Sequence, residues 1–309
     1  MKSIFKEYIT MFIENKRYNG YDYITEEERL KNFDDYVFKN KIIELSLTKE
    51  LIFEFLQTKR QLKTTSISNY ASALREFAKY LNLNNINAYV LPNNYYRHRT
   101  NFVPYIFSEN EIRDFFGAMN SIRNEDARKR LNLIFKLLYS TGIRVSECAD
   151  IKNENINFEN NTITLKNTKN DTDRLIVIDN KLMKEIRTII SDNEYLFINP
   201  NTNKKYTNKI IYDNFRRILY NAKIMHTEKG PRVHDFRHTF AVRSYMQAIK
   251  DNKDLNVYLP ILSTYLGHKN LESTSKYIRL TEEMFPDIRN KIENINNIPN
   301  IEGIDFNEL

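Results

Sequence analysis

From Ser66 onward the apolar side chains recur every three or four residues: Ile67, Tyr70, Leu74, Phe77 and Leu81. A half-buried strand alternates with a period of two, so this spacing is the buried stripe of an amphipathic helix. Thr64, Thr65 and Ser66 offer an N-cap ahead of it, and Asn82 to Asn85 end it. The same spacing marks a helix at Tyr8, Phe12 and Ile13, and another at Leu51, Phe53, Phe55 and Leu56. With only 6 Gly and 7 Pro in 309 residues, a turn-dense all-β fold is disfavoured. Residues 1–93 read as a helical domain whose aromatics form its core.

The period then breaks. Residues 91–101 show no repeat and carry Arg97 and Arg99, and Pro104 closes the segment. Residues 94–106 read as a basic linker; its arginines either reach phosphates or sit in an ordinary solvated loop. Ser108 and Glu111 have the spacing of a capping box that opens a helix. Leu131, Ile134, Phe135, Leu137 and Leu138 form a strongly apolar helix, which Thr141-Gly142 stops before another starts near Val145. Thr162 to Leu165 and Leu175 to Ile178 read as a β-hairpin around a polar turn that contains Lys166 and Lys169. Helical patterns return at 182–190, 210–219 and 234–246. The expected fold is therefore mainly α with a small antiparallel β-sheet, the second domain spanning 107–285. In the tail, 286–309, Ile288, Ile292 and Ile295 share one side, as in a helix that docks on a neighbouring molecule.

The charge balance of +7 permits a polyanionic partner, of which nucleic acid is the commonest. One cysteine, Cys148, precludes an intrachain disulfide and suits a reducing compartment. The N-terminus mixes charges into its apolar positions and is no signal peptide. No run approaches the ~18 apolar residues of a membrane span. A cytoplasmic protein is expected.

Several residues of the second half carry potential chemistry. Arg144 opens a helix, where it either binds an anion or pairs with Glu147 three positions on. His234 and Arg237 share a helix face at that same spacing, so both can reach one phosphate. His238 lies four from His234, but a zinc site lacks its remaining ligands, and no metal is expected. Leu266-Gly267-His268 reads as a helix end with a glycine cap. Tyr277 follows nine positions after His268. A tyrosine beside guanidiniums and imidazoles can attack a phosphate and hold it as a covalent ester.

The segments Thr141-Gly142-Ile143-Arg144-Val145-Ser146-Glu147, His234-Asp235-Phe236-Arg237-His238-Thr239-Phe240-Ala241 and Leu266-Gly267-His268 with Tyr277 resemble, in order, three boxes of the tyrosine recombinase (phage integrase) family. The resemblance covers roughly residues 105 to 285. It implies a mixed α+β catalytic domain behind a helical, SAM-like core-binding domain. It also implies a site-specific DNA recombinase that forms a 3′-phosphotyrosyl intermediate and exchanges strands through a Holliday junction, for integration, excision, transposition or Xer-like resolution. The implied roles are Tyr277 as nucleophile, Arg144 and Arg237 on the phosphate, His234 as base, His268 on a phosphate oxygen, Lys169 as acid and Glu147 orienting Arg144. The lysine turn lacks the glycines common in relatives, which leaves Lys166 as a second candidate acid. Implied partners are double-stranded recombination sites and three further copies in a tetramer, with accessory proteins, and no cofactor. The N-terminal part is shorter than one with an additional arm-binding domain. The alternatives are a type IB topoisomerase-like enzyme, an inactive DNA-binding accessory protein, or a helical nucleic-acid-binding module.

Overall fold

The structure is a computed structural model that describes residues 1–93, 95, 103–166, 173–227, 230–268 and 274. It divides into two compact units, Met1–Asn101 and Phe102–Leu309. The division falls inside the segment 94–106. Arg97, Arg99 and the tail 286–309 lie outside the described residues.

The first unit is built of helices α1 (Lys6–Tyr18), α2 (Ile24–Lys39), α3 (Lys49–Gln57) and α4 (Thr64–Leu83). α4 packs against the other three, and its stripe buries Leu74, Phe77 and Leu81. Phe5, Phe33, Phe55 and Phe77 meet at the centre, with the Phe33 and Phe55 rings edge to face at 5.3 Å. Two details depart from the sequence reading. Lys63, not the Thr64–Ser66 run, occupies the N-cap position of α4, without a side-chain cap. α2 is an additional helix whose apolar stripe of Leu30, Phe33 and Val37 is interrupted by a buried Asp34. That carboxylate accepts hydrogen bonds from the backbone N–H groups of Lys2 and Ser3 and from the Ser3 hydroxyl, so it closes the N-terminus onto the bundle rather than breaking the helix.

The second unit begins with α5 (Glu109–Gly117), opened by the expected capping box. The Ser108 hydroxyl accepts from Glu111 N–H, and Glu111 accepts from Ser108 N–H. α6 (Glu125–Thr141) and α7 (Val145–Ala149) lead to strands β1 (Ile156–Asn157), β2 (Thr162–Leu165) and β3 (Arg174–Val177). These form an antiparallel sheet in sequence order, with Thr162 opposite Val177 and Leu165 opposite Arg174. After α8 (Asn180–Arg187) comes a short β4 (Ile198–Asn199) and β5 (Lys204–Lys205) ribbon. Helices α9 (Asn208–Asn221), α10 (Asp235–Lys250) and α11 (Leu255–Leu266) complete the described elements. Phe115, Phe135, Phe215 and Phe236 form the aromatic centre that brings α5, α6, α9 and α10 together. The observed class is mainly helical with small antiparallel sheets.

Candidate active site

Three separated segments converge at the C-terminal end of α6. That helix stops because Gly142 adopts φ +64, in the left-handed region where a side chain is strained. A Cβ there would also lie 2.6 Å from Phe240 on α10 and 3.2 Å from Leu266 on α11. The bare backbone is what lets these helices close on the turn.

The chain then enters α7 with Arg144 at its N-cap position. Glu147 turns back and takes the Arg144 backbone N–H at 2.8 Å and its Nη1 at 2.6 Å. The anticipated Arg144–Glu147 pair therefore exists, but only 7 % of the Glu147 side chain is exposed. The backbone N–H of Arg144 is thus taken by Glu147, as is one N–H of its guanidinium.

Arg174, at the start of β3, supplies a second cation. Its Nη1 and Nη2 donate to the two Glu147 oxygens at 2.9 and 2.5 Å. Burial works to raise the Glu147 pKa, but the hydrogen bonds and charges of Arg174 and then Arg144 hold the carboxyl below its ordinary value. Glu147 is thus an ionised carboxylate shared between two guanidiniums, and the trio carries a net positive charge. Sequence reasoning missed Arg174. A signal was available: strand alternation puts Arg174 on the same face as the buried Ile176 and Ile178, an inward position where a charge requires a partner.

His234 and Arg237 lie at the start of α10. Arg237 is 2 % exposed. Its Nη1 donates to the Gly142 carbonyl at 2.8 Å and its Nη2 to the Leu266 carbonyl at 2.5 Å. Arg144 Nη2 donates to the next carbonyl, Gly267, at 2.8 Å. The two guanidiniums thus bond consecutive carbonyls at the C-terminal end of α11, where helix carbonyls lack intrahelical partners. Gly267 caps that helix at φ +67, with its N–H bonded to Thr264 O and the His268 N–H to Ser263 O. This turn delivers His268, whose Nδ1 lies 2.8 Å from the Thr274 hydroxyl.

The imidazoles are held neutral. His234 is exposed as a residue, yet the protein packed around its ring, and then the charges of Arg237 and Arg144, lower its pKa to about 4. Crowding and the same two arginines bring His268 to about 4. His238 stands edge to face against His234 with centroids 4.9 Å apart, and burial with the neighbouring His234 takes it to about 3.

These shifts have a consequence for stability. An unfolded histidine protonates near 6.5, whereas the folded one resists until about 4, so the unfolded state gains protons first as pH falls. The contribution of these groups is fully present above pH 6.5 and declines between 6.5 and 4. Imidazole resonances of His234 and His268 in the DNA-free protein are expected to stay at their neutral positions down to about pH 5. Titration near 6.5 instead would contradict this environment.

A cleft of about 420 Å³ opens beside Arg144 and Glu147 and is also lined by Thr164, Lys166 and Lys205. Lys166 therefore stands at the edge of the site. Lys169 and Tyr277 lie outside the described residues.

Residues 106–284 match the model of the phage integrase family. The chain is 30% identical over 207 residues to tyrosine recombinase XerA of Pyrococcus furiosus, covering 65% of this chain and 65% of that protein. It is 26% identical over 279 residues to tyrosine recombinase XerC of Staphylococcus aureus, covering 83% of this chain and 87% of that one. Among solved structures, it shares the fold of the XerH site-specific recombinase bound to palindromic difH substrate, with a TM-score of 0.65 and 22% identity over 87% of this chain and 79% of that one.

Proposed function

The chain belongs to the phage integrase family, and from that premise we propose that Tyr277 attacks a DNA phosphodiester held by Arg144 and Arg237. The protein is a tyrosine recombinase, an enzyme that breaks and rejoins DNA at specific sites. The observation that supports this assignment of roles is the pair of guanidiniums on consecutive carbonyls of α11, with two neutral imidazoles beside them.

Attack builds negative charge on the non-bridging oxygens. Of the five N–H bonds of the Arg144 guanidinium, the contacts described use two. The charge is permanent at any working pH. Arg237 bonds the neighbouring carbonyl of the same helix end and contributes a second fixed charge. A free tyrosine has a pKa of about 10, so the phenol needs a base. His234, uncharged near neutrality, accepts that proton. His268 donates to a phosphate oxygen. The bond from phosphorus to the 5′ oxygen breaks as the bond to the Tyr277 oxygen forms, and Lys169 gives the departing oxygen its proton. A 5′ hydroxyl from another strand reverses the step and joins to it. The bond broken and the bond formed are both phosphodiesters, so ATP does not enter the balance.

Exchange between two duplexes needs four such sites, so the working unit is a tetramer on paired DNA sites, passing through a Holliday junction. Arg97 and Arg99 add phosphate contacts. Glu147 orients Arg144. None of the described helices is long and apolar enough to cross a membrane. We place the protein in the cytoplasm, where its DNA is.

The assignment of the acid has its own test. Lys169→Ala is expected to slow cleavage of a nicked duplex on the order of a hundred- to ten-thousandfold, the usual worth of general acid catalysis. A 5′-bridging phosphorothiolate should restore it, because sulfur leaves without a proton. Rescue of Lys166→Ala instead would move the role to Lys166 at the cleft edge.

A further inference from the structure

We propose that Arg174 is a positioning residue for the cleavage step: by clamping Glu147 it sets the Arg144 guanidinium. This rests on the recombinase reading above. Each Glu147 oxygen is shared. Oε1 takes Nη1 of both arginines, and Oε2 takes the Arg144 backbone N–H and Arg174 Nη2. The plane of the carboxylate is therefore fixed by Arg174 from one side, and that plane dictates where Arg144 Nη1 points.

The other support of Arg144 is the Gly267 carbonyl. Arg174 borders this one too. A Cβ on Gly267 would come 2.5 Å from Arg174 Nη1, so the glycine leaves the space that the guanidinium fills. Arg174 thus touches both residues that hold Arg144. Its side chain is 10 % exposed, and a planar fork bridging two oxygens is a geometry that lysine cannot reproduce. Arg174 also closes the base of the hairpin opposite Leu165, five residues after Lys169. Two of the four donors that Glu147 receives come from Arg174.

The test is a double-mutant cycle on single-turnover cleavage, with a nicked duplex bearing the site that the protein enriches from a randomised pool. Arg174→Lys keeps the charge and is expected to slow cleavage at least about tenfold while DNA affinity stays within about twofold. Glu147→Gln should lose a similar factor, and the double variant should be no slower than the slower single one. The 5′-bridging phosphorothiolate should not rescue Arg174→Lys. Multiplicative losses, rescue by sulfur, wild-type cleavage by Arg174→Lys, or affinity falling in step with rate would each overturn the inference. All proteins are assayed below their melting midpoints, with Arg174→Gln replacing Arg174→Lys if the latter does not fold. Failure of the wild type to trap DNA covalently would instead sink the underlying recombinase reading.

Discussion

Tyr277→Phe is expected to bind its DNA site as the parent does and to form no covalent complex with it. The substitution removes one oxygen and leaves untouched the guanidiniums of Arg144 and Arg237, which we propose hold the phosphate. Deleting an enzyme's nucleophile costs on the order of a millionfold in rate, which places residual capture below detection. A nicked suicide duplex resolved on a denaturing gel reads the outcome directly. A shifted protein–DNA band of parental intensity from the phenylalanine variant would mean that another hydroxyl attacks. Mobility-shift affinity measured on the same preparation separates loss of chemistry from loss of fold. Affinity should fall by less than about twofold and should retain a steep dependence on salt, because phosphate contacts dominate it.

Arg237→Lys should lose on the order of a hundred- to a thousandfold in cleavage, about 2.7–4 kcal/mol of barrier, the usual effect of deleting one preorganised donor to a developing anion. A second effect accompanies the first. The Gly142 and Leu266 carbonyls each lose the guanidinium donor described here, and a buried polar group left without a partner costs about 1–3 kcal/mol. The melting temperature should therefore drop along with activity. Arg144→Lys is expected to lose activity on a similar scale with less loss of stability, because the Arg144 side chain is more exposed than Arg237. Unchanged melting together with cleavage within tenfold of the parent would show that the guanidinium of Arg237 is not the tie between these segments.

Local signals were legible in the sequence where a local cause acts. The stripe from Ile67 to Leu81, the capping box at Ser108 and Glu111 and the stop at Gly142 are all set by neighbours within one or two helical turns. α2 was hidden because Asp34 sits inside its apolar stripe, and the reason for that carboxylate lies far away in the sequence, in Lys2 and Ser3. The arginines of the site were visible as motif members, as was the pairing of Arg144 with Glu147, but the carbonyls they bond were not. Arg237 reaches Gly142 and Leu266 through the packing of three helices, contacts that no periodicity encodes. Arg174 escaped for a related reason. A charged residue at the end of a polar turn resembles a solvated one until the strand register turns it inward toward Glu147. The same turn contains Lys169, which, like Tyr277, is marked by its motif alone.

Beside the Glu147 carboxylate, the acceptors that steady Arg144 and Arg237 at the helix ends are the carbonyls of Gly142, Leu266 and Gly267. Every amino acid carries such an oxygen, so no codon change can delete one. A lineage can rewrite most of the letters around this centre without touching its scaffold. Beyond changes to the reacting side chains, the cations and Glu147, inactivation can then come from changes that bend the main chain at the left-handed Gly142 and Gly267.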